Sequence, residues 1–320
     1  MKVLAPLNSV ENHQFFLECG ADEFYLGYED FQWNERFGGF SELNKMSSLK
    51  GSDIVEWNSL DSVIKKLKSY STNPIYITLN GLTYTDEQCA FLKERIKAMA
   101  QMDIDGIIVG APELIDIIND YNIPVHVSSM ANVYHEGLVK YYLAKGVSRI
   151  ILPRDLSLDE IAPIKNCAGE TEVEVFLMRV GCRYSDPNCL CLHGGEHGGI
   201  CGYLNRSKRR LISAKSTTFE DKNNFLMTNL LYEKMFHAFP ACGLCAIWRL
   251  YRSGISSCKI VGRYENTEEV AEDIRLAKFN INVAKSCDNE KDFFERMKTH
   301  TLKKQRCLLS LGCYYPEARY

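Results

Sequence analysis

No stretch of this 320-residue chain approaches the roughly 18 consecutive apolar residues that a membrane-spanning helix needs. The opening residues, Met1-Lys2-Val3-Leu4-Ala5-Pro6, lack the apolar core of a secretion signal. A cytoplasmic protein with no membrane partner is therefore expected. A basic excess is missing too. Lys and Arg number 38 against 41 Asp and Glu, a net charge of −3, so no overall field draws the chain onto nucleic acid, and DNA is not expected as a partner. Disulfide-scaffold density is not reached either. The 13 cysteines are odd in number, and in a reducing compartment clustered thiols point to metal binding or catalysis rather than bridges. Neither a G-x-S-x-G elbow nor an HExxH helix occurs, so a hydrolytic reading has no motif of its own. Internal repeats and low-complexity tracts are absent, which leaves one large core with appendages.

What is present suits such a core. Hydrophobic residues make up 46% and charged residues 25%, ordinary for a globular chain. Short β-branched runs recur at Lys2–Leu4, Glu23–Leu26, Ile75–Leu79, Gly106–Val109, Val125–Ser128, Arg149–Leu152, Val173–Leu177 and Ser256–Val261. Between them lie segments with apolar residues at three and four spacing, such as Glu87–Met102 and Leu138–Lys145. This alternation predicts βαβ units and a parallel (β/α)8 TIM-like barrel. Helix starts are expected after Ser9, after Thr85, and at Ser157 with Glu160 as a capping box. The barrel is assigned to residues 1–280, and a C-terminal helix near Asp288–Gln305 with an aromatic tail to residues 281–320.

One interval breaks the rhythm. Residues 178–242 form a long Cys- and Gly-rich excursion between strands seven and eight, holding Cys182, Cys189, Cys191, Cys201 and Cys242. Because it begins at the C-terminal end of a strand, it is expected over the face where such barrels place their active sites. Thiolates converging there suit tetrahedral zinc or an iron–sulfur cluster, and spacing alone does not separate the two. Cys242-Gly243-Leu244-Cys245 adds a C-x-x-C pair at the expected start of the helix before strand eight, where the helix dipole favours thiolate. Cys191 and Cys245 are spare thiols that could replace a ligand. His193 and His197 in the same loop keep a mixed zinc site open.

Several motifs resemble the U32 peptidase-like family, which includes iron–sulfur proteins of oxygen-independent ubiquinone, tRNA and rRNA hydroxylation. They are Ala21-Asp22-Glu23-Phe24-Tyr25-Leu26-Gly27, Tyr76–Asn80, His126–Ser129, Arg154–Leu158, the segment from Val175 to Cys182 and Cys189, and Lys259-Ile260-Val261-Gly262-Arg263. Carried over by position, the resemblance implies a 4Fe–4S cluster on Cys182, Cys189, Cys201 and Cys242. The chain departs from the family at Met178-Arg179 in place of His-Gly, at Val261 in place of Glu, at Met130 in place of Gln, and in a shortened Cys189–Cys201 spacing.

Asn80, Ser128, Ser129, Arg154, Arg179 and Arg263 fall at or just past strand ends, where a barrel gathers functional side chains. Three guanidinium groups around one mouth would bind a small anionic organic substrate; each could instead pair with a nearby acid. The basic run 205–210 would contact phosphates if the substrate were RNA. The function expected is that of an oxygen-independent hydroxylase or related oxidoreductase. The alternatives are a U32-type peptidase and a non-catalytic redox sensor or partner subunit.

Overall fold

Each β-branched run lies in a strand whose residues are buried on both faces, the condition of a parallel sheet covered by helices. The structure is a computed structural model and describes residues 1–7, 9–38, 41–45, 47, 53, 55–179, 181, 241–300 and 312–319. Its eight barrel strands are β1 (Lys2–Pro6), β2 (Glu23–Leu26), β3 (Ile75–Leu79), β4 (Gly106–Val109), β5 (Val125–Val127), β6 (Arg149–Ile151), β7 (Glu172–Met178) and β8 (Ser257–Ile260). They pair in sequence, all parallel, and β8 closes on β1 with Lys2 opposite Ser257 and Val3 opposite Cys258. The chain is thus a closed (β/α)8 barrel. The expected strands match the observed ones to within two residues at each end.

Helices α1 (Asn12–Cys19), α2 (Phe31–Phe37), α3 (Leu60–Tyr70), α4 (Asp86–Met99), α5 (Glu113–Asn119), α6 (Glu136–Ala144), α7 (Leu158–Ala168), α8 (Ile247–Arg252) and α9 (Thr267–Lys285) accompany the strands. Their apolar faces, with Phe16, Ile64, Leu92, Ile96, Ile118, Ile164 and Ile274, are withdrawn from solvent against the outer strand surface. Each such side chain contributes roughly 1.5–3 kcal/mol. Thr85 with Gln88 and Ser157 with Glu160 form reciprocal capping boxes, which fix the starts of α4 and α7. Ser9 behaves differently. The cap of α1 is Glu11, and Ser9 instead turns the entering chain by accepting from the Glu11 amide.

α9 runs through residue 280, the expected end of the barrel, to Lys285, and buries Ile281 and Ala284 in the common core. The helix expected near residues 288–305 is α10 (Glu290–Arg296), after which Met297 is extended. Among the described residues, no helix is long and apolar enough to cross a membrane.

The interior of the barrel is not the usual aliphatic stack. Arg149 of β6 is fully buried and reaches across to Glu23 of β2 (Nη2 to Oε1, 2.7 Å) and Glu174 of β7 (Nη1 to Oε2, 3.0 Å), with Glu172 and Tyr76 beside it. Lys259 of β8 lies 3.4 Å from Glu174 and 3.9 Å from the centre of the Tyr25 ring. Burial would raise the Glu23 carboxyl, but the hydrogen bonds and charge of Arg149 outweigh it and hold its pKa down at about 2. Burial, then the charge of Arg149, drives His126 well below the ordinary histidine value.

Candidate functional site at the barrel mouth

Strand β7 delivers Arg179 to the mouth in an uncommon conformation. Its φ of 63° is left-handed, a region that favours glycine. Three kinds of contact hold the arginine there. Its amide donates to the Ala241 carbonyl at 2.8 Å, its carbonyl accepts from the Tyr314 hydroxyl, and its guanidinium is enclosed by acids of α9 and the turn before it. Nη1 lies 2.5 Å from Glu269 and 3.5 Å from Glu265. Nε lies 2.6 Å from Asp273 Oδ2, an ionic contact without hydrogen-bond alignment. Burial works against the Arg179 charge, yet Asp273 and then Glu269 prevail and raise its pKa. On its far side the fully buried Asp273 meets His300 Nε2 at 2.6 Å.

Arg263 follows β8 and is also engaged. Its Nη1 lies 2.9 Å from Asp53 Oδ1 and donates to Thr78 Oγ1 at 3.3 Å. Burial pushes the Asp53 carboxyl up, with Arg263 pulling the other way. The pair sits in the space left by Gly27, at the end of the Tyr25-Leu26-Gly27 motif. A β-carbon on Gly27 would lie 1.8 Å from Arg263 Nη1 and 2.0 Å from Asp53 Oδ1. Gly27→Ala is therefore expected to separate the pair and destabilise the protein by about 1–3 kcal/mol, as overpacking does. Thermal unfolding of Gly27→Ala beside wild type measures this, and an unchanged midpoint would show that the pair does not depend on the missing side chain.

The remaining expected residues divide by role. The Arg154 guanidinium stacks over the Phe176 ring at 4.5 Å, while neighbouring Asp155 accepts from Tyr134. Asn80 ties the 41–45 segment to the mouth, accepting from the Lys45 amide and donating its own amide to Asn44. Ser128 accepts from the Met130 amide and starts a 3-10 turn that buries Ser129 and Met130. Arg179 and Arg263 thus already face carboxylates, and an incoming anion would have to compete with these.

Cys242 lies at the same end of the barrel. It pairs in antiparallel fashion with Met178, the last residue of β7, and in parallel with Cys313 on its other side. Cys245 follows in the 3-10 turn (Leu244–Ala246) that leads into α8. Cys182, Cys189, Cys191, Cys201, His193, His197 and the basic run 205–210 lie outside the described residues. Among the described residues, no three His, Cys, Asp or Glu side chains gather as a metal site.

Sequence reasoning missed the Arg149 network, the cradle at Gly27 and the return of the C-terminal segment to Cys242. The first had a readable signal. Glu23, Arg149, Glu174 and Lys259 fall within runs that belong to strands buried on both faces, and a charge there must be paired inside the barrel.

The family model described as Peptidase family U32 matches residues 8–311. Among curated relatives, the tRNA hydroxylation protein P of Escherichia coli (strain K12) is 25% identical over 207 residues, which take in 64% of this chain and 40% of that protein. The tRNA hydroxylation protein P2 of Bacillus subtilis (strain 168) is 22% identical over 262 residues, 77% of this chain and 81% of that protein. A collagenase of Porphyromonas gingivalis (strain ATCC BAA-308 / W83) is 23% identical over 280 residues, 84% of this chain and 62% of that protein. The chain therefore spans about two fifths of the length of the first of these relatives, which is 40% covered.

Proposed function

Because the chain belongs to peptidase family U32, we propose that it acts in oxygen-independent hydroxylation of tRNA, with a 4Fe–4S cluster held by thiolates at the barrel mouth. The observation that carries the substrate class is the likeness to two tRNA hydroxylation proteins, one of them covered over 81% of its length. The cluster reading draws support from the donor set. Cys242 is half-buried beside the end of β7, four residues before Cys182 in sequence, and a second half-buried thiol, Cys313, is its ladder neighbour. Soft thiolate ligands at a partly shielded mouth fit an iron–sulfur group; zinc is the alternative occupant. On this reading Cys182, Cys189, Cys201 and Cys242 hold the cluster, which supplies one-electron chemistry when bound. The chain's own residues do the rest. Arg179 and its carboxylates fix the strand end beside Cys242, Arg154 and Arg263 present positive charge to a small anionic co-substrate, and the run 205–210 contacts RNA phosphates.

The experiment compares nucleosides from tRNA of cells grown without oxygen, with and without this protein. Loss of a hydroxylated nucleoside in its absence, and its return on complementation with wild type but not with Cys242→Ser, is the expected result. Identical nucleoside profiles would overturn the reading. The likeness to a collagenase favours a peptidase as the second reading, and cleavage of a peptide library by iron-free protein would establish it in place of the first.

A further inference from the structure

Lys259 projects into the barrel from β8 and is held less firmly than lysines elsewhere in the fold. Lys68 and Lys278 meet their carboxylates at 2.6 Å, whereas the Lys259 amine stands 3.4 Å from Glu174 Oε1. A close charge-assisted bond spans about 2.7–2.9 Å. Glu174 is also shared, since its other oxygen accepts from Arg149 at 3.0 Å. Beneath the amine Glu23, Arg149, Glu174 and Ser257 are fully withdrawn from solvent, so the 9% of the Lys259 side chain that stays exposed faces the mouth. Val261, two residues on, is half-exposed there. The surroundings of the amine are apolar and positive. The Tyr25 ring lies 3.9 Å from it, and Phe176, the β7 partner of Lys259 in register, carries the Arg154 guanidinium on its ring. Burial lowers the Lys259 pKa from the ordinary lysine value; Glu174 opposes this, while the charges of Arg263 and Arg149 add to it.

We propose that Lys259 is a nucleophilic amine that condenses with a small aldehyde or ketone carrying a carboxylate, admitted through the mouth. A desolvated lysine beside other cations gives up its proton more readily, and the neutral amine is the form that attacks a carbonyl carbon. Nζ bonds to that carbon as the C–O π bond opens to a carbinol. The carbinol oxygen then leaves as water with the two amine hydrogens, and a C=N bond remains, so the step needs neither oxidant nor reductant. Glu174, 3.4 Å from Nζ, is placed to carry the proton from nitrogen to the departing oxygen. Arg154 and Arg263 receive the carboxylate. The inference rests on the proposed function for the anion-binding role of these two arginines, and it requires neither the cluster nor tRNA.

The test treats the full chain with glyoxylate and cyanoborohydride, which reduces the imine and leaves a carboxymethyl group on the lysine, and locates that group by peptide mass spectrometry. The expected result is that Lys259 is labelled before the exposed Lys65 and Lys291, and that this order is lost when the protein is unfolded in urea before labelling. Lys259→Arg, verified as folded by circular dichroism, should lose the early label, since a guanidinium stays protonated. Folded wild type in which Lys65 and Lys291 are labelled while Lys259 is not would overturn the proposal. The ratio of label at Lys259 to label at Lys65 should also be higher with glyoxylate than with uncharged acetaldehyde, and an equal ratio would sink the carboxylate part. Because labelling is read without tRNA and without a cluster, its failure leaves the hydroxylation experiment standing, and a negative nucleoside profile leaves the labelling result standing.

Discussion

Arg149→Met is expected to destabilise the folded barrel by about 3–5 kcal/mol, the loss that follows when one partner of a buried ion pair is removed. The side chain is fully withdrawn from solvent and contacts carboxylates from two other strands, Glu23 on β2 and both Glu172 and Glu174 on β7. Removing it strands Glu23 and Glu174, both fully buried, without their main counter-charge. Lys2 and Lys259 supply only partial replacements, at 3.0 Å from Glu23 and 3.4 Å from Glu174. A loss of that size is a large fraction of the 5–15 kcal/mol by which domains are ordinarily stable. Urea denaturation followed by circular dichroism measures it. Adding Glu23→Gln and Glu174→Gln to Arg149→Met should recover part of the loss, since the uncompensated charges are then gone. A destabilisation below about 1 kcal/mol, as for an exposed pair, would show that the network is wet and relaxed instead of desolvated.

The second large effect is acid lability. Glu23 has its folded pKa lowered to about 2 from an ordinary value of 4.5. A carboxyl depressed in the folded state stabilises fully above its unfolded pKa, and that contribution disappears as pH falls through the folded one. For a shift of this size the contribution is about 3 kcal/mol, present above pH 4.5 and lost between 4.5 and 2. His126 adds to the same limb. Its folded pKa lies well below 6.5, so under acid the unfolded chain takes up a proton that the folded chain refuses, and stability declines as pH drops below 6.5. Melting temperature should therefore fall from near pH 6.5 downward and fall steeply below 4.5. Glu23→Gln should lower the neutral-pH melting temperature and flatten the steep part of the profile. A wild-type curve level from pH 7 to 3 would contradict both assignments.

Much of the scaffold was legible along the chain. Ile75–Leu79 and Gly106–Val109 reappear with identical limits, because a parallel strand covered on both faces must be apolar throughout its length. Thr85, and Ser157 with Glu160, mark helix starts because the bonds they form span only three residues. Cys242 and Cys245 were legible as a motif for the same reason of nearness. Arg263 was recognised as a mouth residue, but its partner Asp53 is 210 positions away and reaches it only through the space at Gly27. For Arg179, sequence marked a departure from the family's glycine; the left-handed backbone and the acids of α9 that support it appear only once β7 and α9 are packed.

The amino-acid sequence by itself determined the eight-strand alternation, the principal helix caps and the family, since periodicity, capping and ordered motifs are properties of neighbouring residues. Tertiary structure alone decided that Arg149 balances the acids inside the barrel, that Asp53 meets Arg263 over Gly27, and that Cys313 returns to lie beside Cys242. Those pairings follow from closing β8 onto β1 and from folding the C-terminal segment across the mouth. The contacts so formed join residues from 23 positions apart, Arg149 and Glu172, to 210 apart, Asp53 and Arg263, separations over which no local pattern in the chain specifies a contact.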